Sequence, residues 1–308
     1  MADIIFGSGI TIGTGISVTP PPPPPPPSYK AIFGYGSGPV SITNLVSNIG
    51  VVANDTAGVG TARDDLAAAG YGTDKAIFGY GSPGPVSLTN LVSNTGVVAN
   101  DTAGVGTARN GLDAATYGTD KAIFGYGTTG TITSITNLVS NTGVVAGDTA
   151  GVGTARDNLA AAGYGTDKAI VGYGRNGGGN LSMTNLVSNT GVVAADTTGV
   201  GTARQSLAAT GYGTDKAIFG YGYTNTPVSI TNKVSNTGVV ATDTSGVGTD
   251  RYGLAAAGYG TDKAIFGYGS FGVAVSTTNL VSNTGVVAAD TTGVGTARQQ
   301  LAAASYGS

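Results

Sequence analysis

The side chains able to do chemistry in this 308-residue chain are few in kind: seventeen acids, all of them Asp, fourteen bases and fifteen tyrosines, with no His, Cys, Glu or Trp. Imidazole acid–base chemistry, thiol nucleophiles, disulfides and zinc sites are therefore excluded. Carboxylate pairs are what remains for catalysis. Asp64 and Asp65 are adjacent, but neighbours on a strand point to opposite faces, so they are not expected to flank one scissile bond. Another repeat has Asp157-Asn158 at the same position, the mark of a site free to vary. Calcium needs several oxygens converging within about 2.3–2.6 Å, which one Asp per repeat does not supply. Gly-Val-Gly and Gly-Tyr-Gly segments lack a following Lys-Ser/Thr and open no helix, so turn geometry is expected of them rather than phosphate binding. The chain reads as non-enzymatic, with no catalytic residue, cofactor or metal.

Most of the charge belongs to a repeating framework. KAIFGYG, or KAIVGYG once, begins at Lys30, Lys75, Lys121, Lys168, Lys216 and Lys263. TNLVSNTGVVA, with minor changes, follows each copy and carries Asn44, Asn90, Asn137, Asn185, Asn232 and Asn279. Asp55, Asp101, Asp148, Asp196, Asp243 and Asp290 each stand eight residues before Arg63, Arg109, Arg156, Arg204, Arg251 and Arg298. These Asp and Arg residues are expected to bind each other or to turn the backbone, holding repeat to repeat. The tyrosines of Gly-Tyr-Gly are expected to pack between repeats. Only Arg175 and Lys233 lie outside the basic framework, and the net charge is −3, so nucleic acid is not an expected partner. The N-terminus lacks the basic region of a signal peptide, and no apolar run approaches the roughly 20 residues of a membrane helix.

Four short strands per repeat are expected to position this framework. In the second repeat they are Leu112–Tyr117, Lys121–Tyr126, Ser134–Ser140 and Val144–Ala146, separated by Gly, Asn, Asp and Thr. Repeats of this length with four strands predict an all-β six-bladed β-propeller over residues 29–308. The first repeat lacks the LAAAGYG segment that precedes the others, and LAAASYG stands at Leu301–Gly307. The C-terminal strand is therefore expected to close the first blade.

In each repeat Arg, LAAAGYG, Asp-Lys and AIFGYG line up in the order of a kelch repeat, and residues 30–308 resemble a kelch-type propeller. Gly-Tyr-Gly stands in place of the kelch double glycine, and the kelch Trp is absent. The phrases NLVSNTGVVA, GVGTAR and DKAIFGYG, with the opening MADIIFGSGITIG and its proline run, are similar to repetitive virion structural proteins of marine tailed bacteriophages, especially cyanophages. That resemblance implies a virion structural or appendage protein, such as a tail-fibre tip, made in the host cytoplasm and carried on the particle surface.

The repeats differ from one another chiefly in two places: the loop after KAIFGYG and the two residues after each framework Arg. If the strands run antiparallel, both sets emerge on one face, where a rigid scaffold presents binding residues. The candidate contacts are Arg175, Asn176, Tyr223, Asn225, Tyr252 and Phe271, facing a host-surface glycan or protein.

Residues 1–19 carry Ile4, Phe6, Ile10 and Ile12 among small residues, and Pro20–Pro27 follow within a linker of residues 20–28. Eight prolines favour a polyproline II spacer of roughly 25 Å. The arm is expected to anchor the propeller to other virion proteins or to copies of itself by adding a strand to a neighbouring sheet. Two other functions fit the same pattern: a self-assembling fibre subunit that uses the arm as a donor strand, and a carbohydrate-binding propeller.

Overall fold

The computed structural model describes residues 30–307 together with the backbone of Ile5–Phe6 and Ile10–Thr11. It is all-β, and among the described residues there is no helix. Its main elements are six small antiparallel sheets of three strands each.

In the sheet built from the second KAIFGYG copy, Ala67–Tyr71 pairs with Lys75–Gly79, which pairs in turn with Thr89–Val92. Alanine and glycine in the first strand leave no bulk on an element that faces its counterparts from the other sheets. Its turn, Gly72-Thr73-Asp74, takes a left-handed φ of 60° at Gly72 and 69° at Thr73. The same three-stranded unit recurs at Asp113–Val139, Ala160–Val187, Ala208–Val234 and Ala255–Val281. The remaining sheet draws its first strand from the end of the chain: Ala302–Tyr306 pairs with Lys30–Gly34 in the register used elsewhere.

Three of the expected strands per repeat are regular, and the fourth is not. In the second repeat the segment after Asn141-Thr142-Gly143 touches its neighbour through isolated bridges, Val139 to Val145 and Thr136 to Thr149. Between them Gly147 and Asp148 interrupt the ladder, because the Asp148 carboxylate turns inward onto Asn137. The second strand stops at Gly125, where Tyr126 adopts a φ of 64°; in the first sheet the strand resumes past Tyr35, at a φ of 65°, through a register shift between Gly34 and Gly36.

Each of six apolar clusters lies between two consecutive sheets. One joins Tyr71, Ile77 and Tyr80 to Leu112, Phe124 and Val139; another joins Ile265 and Tyr268 of the last sheet to Phe33 and Val46 of the first. Within them the Tyr of one KAIFGYG meets the Phe of the next at ring centroids 5.0–5.2 Å apart. Gly143 shows how close the neighbours come: its φ is 83°, and a Cβ there would lie 2.9 Å from the Tyr71 ring.

Ile4, Ile12 and the polyproline run lie outside the described residues, as do the side chains of Phe6 and Ile10. The arm was expected to have no strand partner within its own sequence. Ile5–Phe6 instead pairs antiparallel with Ile10–Thr11, which suits two short apolar stretches separated by Gly-Ser-Gly.

Val171 breaks the aromatic series. It replaces Phe in KAIVGYG, and the opposing Gly125 lacks the close Phe ring met by Gly79 and Gly220. Val171→Phe should supply the missing partner of Tyr126 and raise unfolding free energy by about 0.5–1.5 kcal/mol, read as a higher denaturant midpoint at unchanged m-value.

Candidate functional site

Beneath the end of the sheets where the variable loops emerge lies a relay of buried polar side chains. The Arg109 guanidinium is fully buried and sits 4.5 Å from the Tyr80 ring centroid of its own repeat. Its Nη2 donates to Asn137 Oδ1 of the following repeat at 2.6 Å, and its Nε donates to the Tyr126 carbonyl at 2.9 Å. Asn137 Nδ2 then donates to Asp148 Oδ1 at 2.9 Å. Asp148 accepts from the Thr107 backbone N–H and from its hydroxyl, returning the chain of bonds to the loop that carries Arg109. Burial would raise the Asp148 pKa, but the hydrogen bonds from Thr107 and Asn137 and the Arg109 charge together hold it below the ordinary carboxylate value.

The Arg–Asn–Asp–Thr relay occurs six times, while the Nε bond to a Tyr carbonyl is made by Arg109, Arg204 and Arg298 and the buried Nε of Arg63, Arg156 and Arg251 has no partner. The last copy of the relay runs from Arg298 to Asn44 and from Thr296 to Asp55, joining the two ends of the folded region. The expectation that Asp and Arg hold repeat to repeat thus has a third member, the Asn of TNLV. These Asp oxygens are engaged by Thr and Asn donors, and no cluster of three or more His, Cys, Asp or Glu occurs among the described residues. Both tyrosine sets are buried: Tyr80 is inaccessible and Tyr71 is 4% exposed. Burial pushes the Tyr80 hydroxyl up to about 12, so it stays a neutral donor to the Val105 carbonyl.

The two variable sets meet above this relay. The residue after each framework Arg pairs with the loop that follows KAIFGYG: Asp64 with Ser82, Asn110 with Thr128, Asp157 with Arg175, Gln205 with Tyr223 and Tyr252 with Ser270. Arg175 Nε donates to Asp157 Oδ1 at 2.9 Å, and Asn176 turns its own hairpin by accepting from the Gly178 N–H. Asn180 Nδ2 reaches the Tyr223 carbonyl at 3.2 Å. The Tyr223 and Tyr252 rings meet edge to face, 5.2 Å apart. Phe271, beyond Ser270, is 49% exposed beside Val273 at 62%. Arg175, Tyr223, Tyr252 and Phe271 therefore follow one another along an arc of three consecutive loops. Asn225 stands at an exposed tip with a φ of 121° and, like Asn176, is not bonded to the other candidates.

The second residue after each Arg does something else. The backbone N–H of Gly111 donates to the Asp65 carbonyl, Asn158 to Gly111, Ser206 to Asn158, Gly253 to Ser206, Gln300 to Gly253 and Asp65 to Gln300, at 2.7–2.9 Å. All six residues have φ between 48° and 61°. This corrects the strand geometry expected at Asp64-Asp65. Because the ring is made by backbone alone, its side chains are free to vary. Gln300 Nε2 donates to both carboxylate oxygens of Asp65 at 2.9 Å. Burial, then the Asp64 charge, pushes Asp65 up to about 6.

Behind the ring is a central cavity of about 180 Å³ lined by the first strands of all six sheets. It adjoins a wider mouth of about 480 Å³ at the opposite end, bordered by Lys75, Lys168, Lys216 and Lys263. These lysines pair with the Asp that precedes each of them at 2.6–3.0 Å. Asp113 lines the cavity at a position where the other repeats carry Ala. Burial outweighs two backbone hydrogen bonds and pushes its pKa up to about 7. The sequence pattern held the signal for Asp113, as the one charge within the LAAAGYG segments, yet attention to loops passed it by.

No protein-family model matches the chain, and no curated protein matches it.

Asn137→Ala should cost about 2–3 kcal/mol, since it leaves Nη2 of a buried guanidinium unpaired and removes one of the donors that hold the Asp148 carboxylate, read by chemical denaturation. An acid whose folded pKa lies above its unfolded value loses stability as pH rises from the unfolded value of 3.8 to the folded one of about 7. Asp113→Ala should therefore stabilise the protein at pH 8 and leave it little changed near pH 4, so the difference in unfolding free energy from the native protein grows across that window.

Proposed function

We propose that the chain is a closed six-bladed β-propeller that acts as a non-enzymatic display scaffold on a phage virion, with its arm as anchor and its variable rim as the binding face. Closure is supported by the sheet shared between Lys30–Gly34 and Ala302–Tyr306, by the apolar cluster between the last and first sheets, and by the backbone ring that returns from Gln300 to Asp65. Each blade has three regular strands and an irregular outer segment.

The observation that carries the display reading is the placement of differences. Relay residues are the same in every repeat, whereas the residues above them change from Asp and Arg to Tyr and Phe and pair with the neighbouring variable loop through backbone bridges. Lys30 pairs with Tyr306 at the opposite end of its sheet from that rim. An arm entering there leaves the variable face unobstructed, which is the arrangement an anchored receptor-binding module needs. The virion surface as location, with manufacture in the host cytoplasm, rests on the resemblance to marine-phage proteins.

Fluorescently labelled protein mixed with marine cyanobacterial cells should bind saturably. A Tyr223→Ala/Tyr252→Ala/Phe271→Ala variant of unchanged melting behaviour should lose that binding, and deletion of residues 1–27 should not affect it. Equal binding by native and triple-variant protein would sink the rim assignment, and absence of saturable binding by the native protein would sink the display reading.

A further inference from the structure

The central cavity contains a side chain that acts as a ligand to the protein itself. Asp113 accepts the Ala114 N–H at 2.8 Å with one carboxylate oxygen and the Ala161 N–H at 2.7 Å with the other. These amides belong to the first strands of two adjacent sheets, at equivalent register positions opposite Phe124 and Val171. They point away from their own ladders, as the free edge of an antiparallel strand requires of alternate residues.

The same register places Ala68, Ala209, Ala256 and Ala303 opposite Phe78, Phe219, Phe266 and Phe33. Their N–H groups face the cavity too, but the residues equivalent to Asp113 there are Ala67, Ala208, Ala255 and Ala302, which carry no acceptor. Other departures from LAAAGYG also satisfy cavity-facing backbone groups: the Thr116 hydroxyl donates to the Gly70 carbonyl at 2.9 Å, and the Ser305 hydroxyl to the Gly258 carbonyl at 2.8 Å. The four amides opposite Asp113 have no such side chain.

We propose that this cavity binds a small free carboxylate of the size of formate or acetate, held by the amides of Ala68, Ala209, Ala256 and Ala303 as Asp113 is held by those of Ala114 and Ala161. Converging backbone donors form an anion-binding concavity without any cationic side chain. The cavity's volume of about 180 Å³ admits a molecule of a few heavy atoms and no polymer. Entry is from the lysine-bordered mouth, with which the cavity shares Gly70, Gly163 and Gly258.

The test is titration of the full chain with sodium formate against sodium chloride at matched ionic strength, observed through the amide signals of ¹⁵N-alanine. Formate should shift the Ala68, Ala209, Ala256 and Ala303 amides saturably and leave surface alanines unmoved. Ala255→Asp, which repeats the Asp113 arrangement over Ala256 and Ala303, should weaken binding about tenfold or more by occupying two of the four donors. Asp113→Ala frees two further donors and should bind formate at least as tightly as the native chain. Formate shifts absent from these four amides, or matched by chloride, overturn the proposal. So does undiminished binding by a folded Ala255→Asp; if that variant does not fold, the amide shifts of the native chain decide alone.

Discussion

The structure depends on a guanidinium that belongs to one repeat and is completed by the next. A buried arginine is costly unless most of its donors are met and its charge is balanced. Here the stacking tyrosine comes from the same repeat as the arginine, the Asn oxygen from the repeat after, and the Asp that anchors the Asn is held in turn by a Thr beside the arginine. No repeat can satisfy this set alone. Pairwise apolar packing would hold neighbouring sheets together at many relative angles, whereas the relay fixes one. The last copy of the relay joins Arg298 to Asn44.

That division of labour explains which residues are constant. Arg, Asn, Asp and Thr are coupled members of one hydrogen-bonded circuit, so a change in one leaves another unsatisfied. The Tyr of KAIFGYG is constrained differently: it occupies a left-handed backbone region unfavourable for a bulky residue, with φ of 62–65°. Phe packing, the arginine stack and the bond from its hydroxyl determine that conformation together. Directly above, the six-membered amide ring supplies the same rigidity through backbone atoms alone. Asp, Gly, Asn, Ser and Gln can therefore all occupy the ring, and the rim can change chemically without loosening the body.

Much of this was legible in the sequence, because repetition makes periodic contacts visible as periodic letters. The repeat unit, the three strands built from LAAAGY, KAIFG and TNLV, and the joining of the chain's end to its beginning all follow from spacing. The fourth strand did not follow: β-branched valines favour extension, but the inward turn of Asp148 competes with the ladder, and a linear pattern does not show which wins. The role of Asn137 was equally hidden. Its spacing from Arg109 is constant, but so is that of every residue in the repeat, and only the fold reveals which constants are in contact. Asp113 illustrates the opposite failure. Its departure from the pattern was plain, yet its meaning depends on an amide 48 residues away, on the first strand of the next sheet, a distance at which sequence alone carries no register.

The sheet assembled from both ends of the folded region also has a mechanical side. The chain preceding Lys30 feeds directly into the middle strand of that sheet, flanked by Ala302–Tyr306 on one side and Val40–Val46 on the other. Tension applied through the arm acts along this strand, so it loads both ladders in shear, with their bonds sharing the force at once instead of opening one after another. A molecule held through that arm would be gripped at a seam that is non-covalent, but in the direction in which a seam of paired strands yields last.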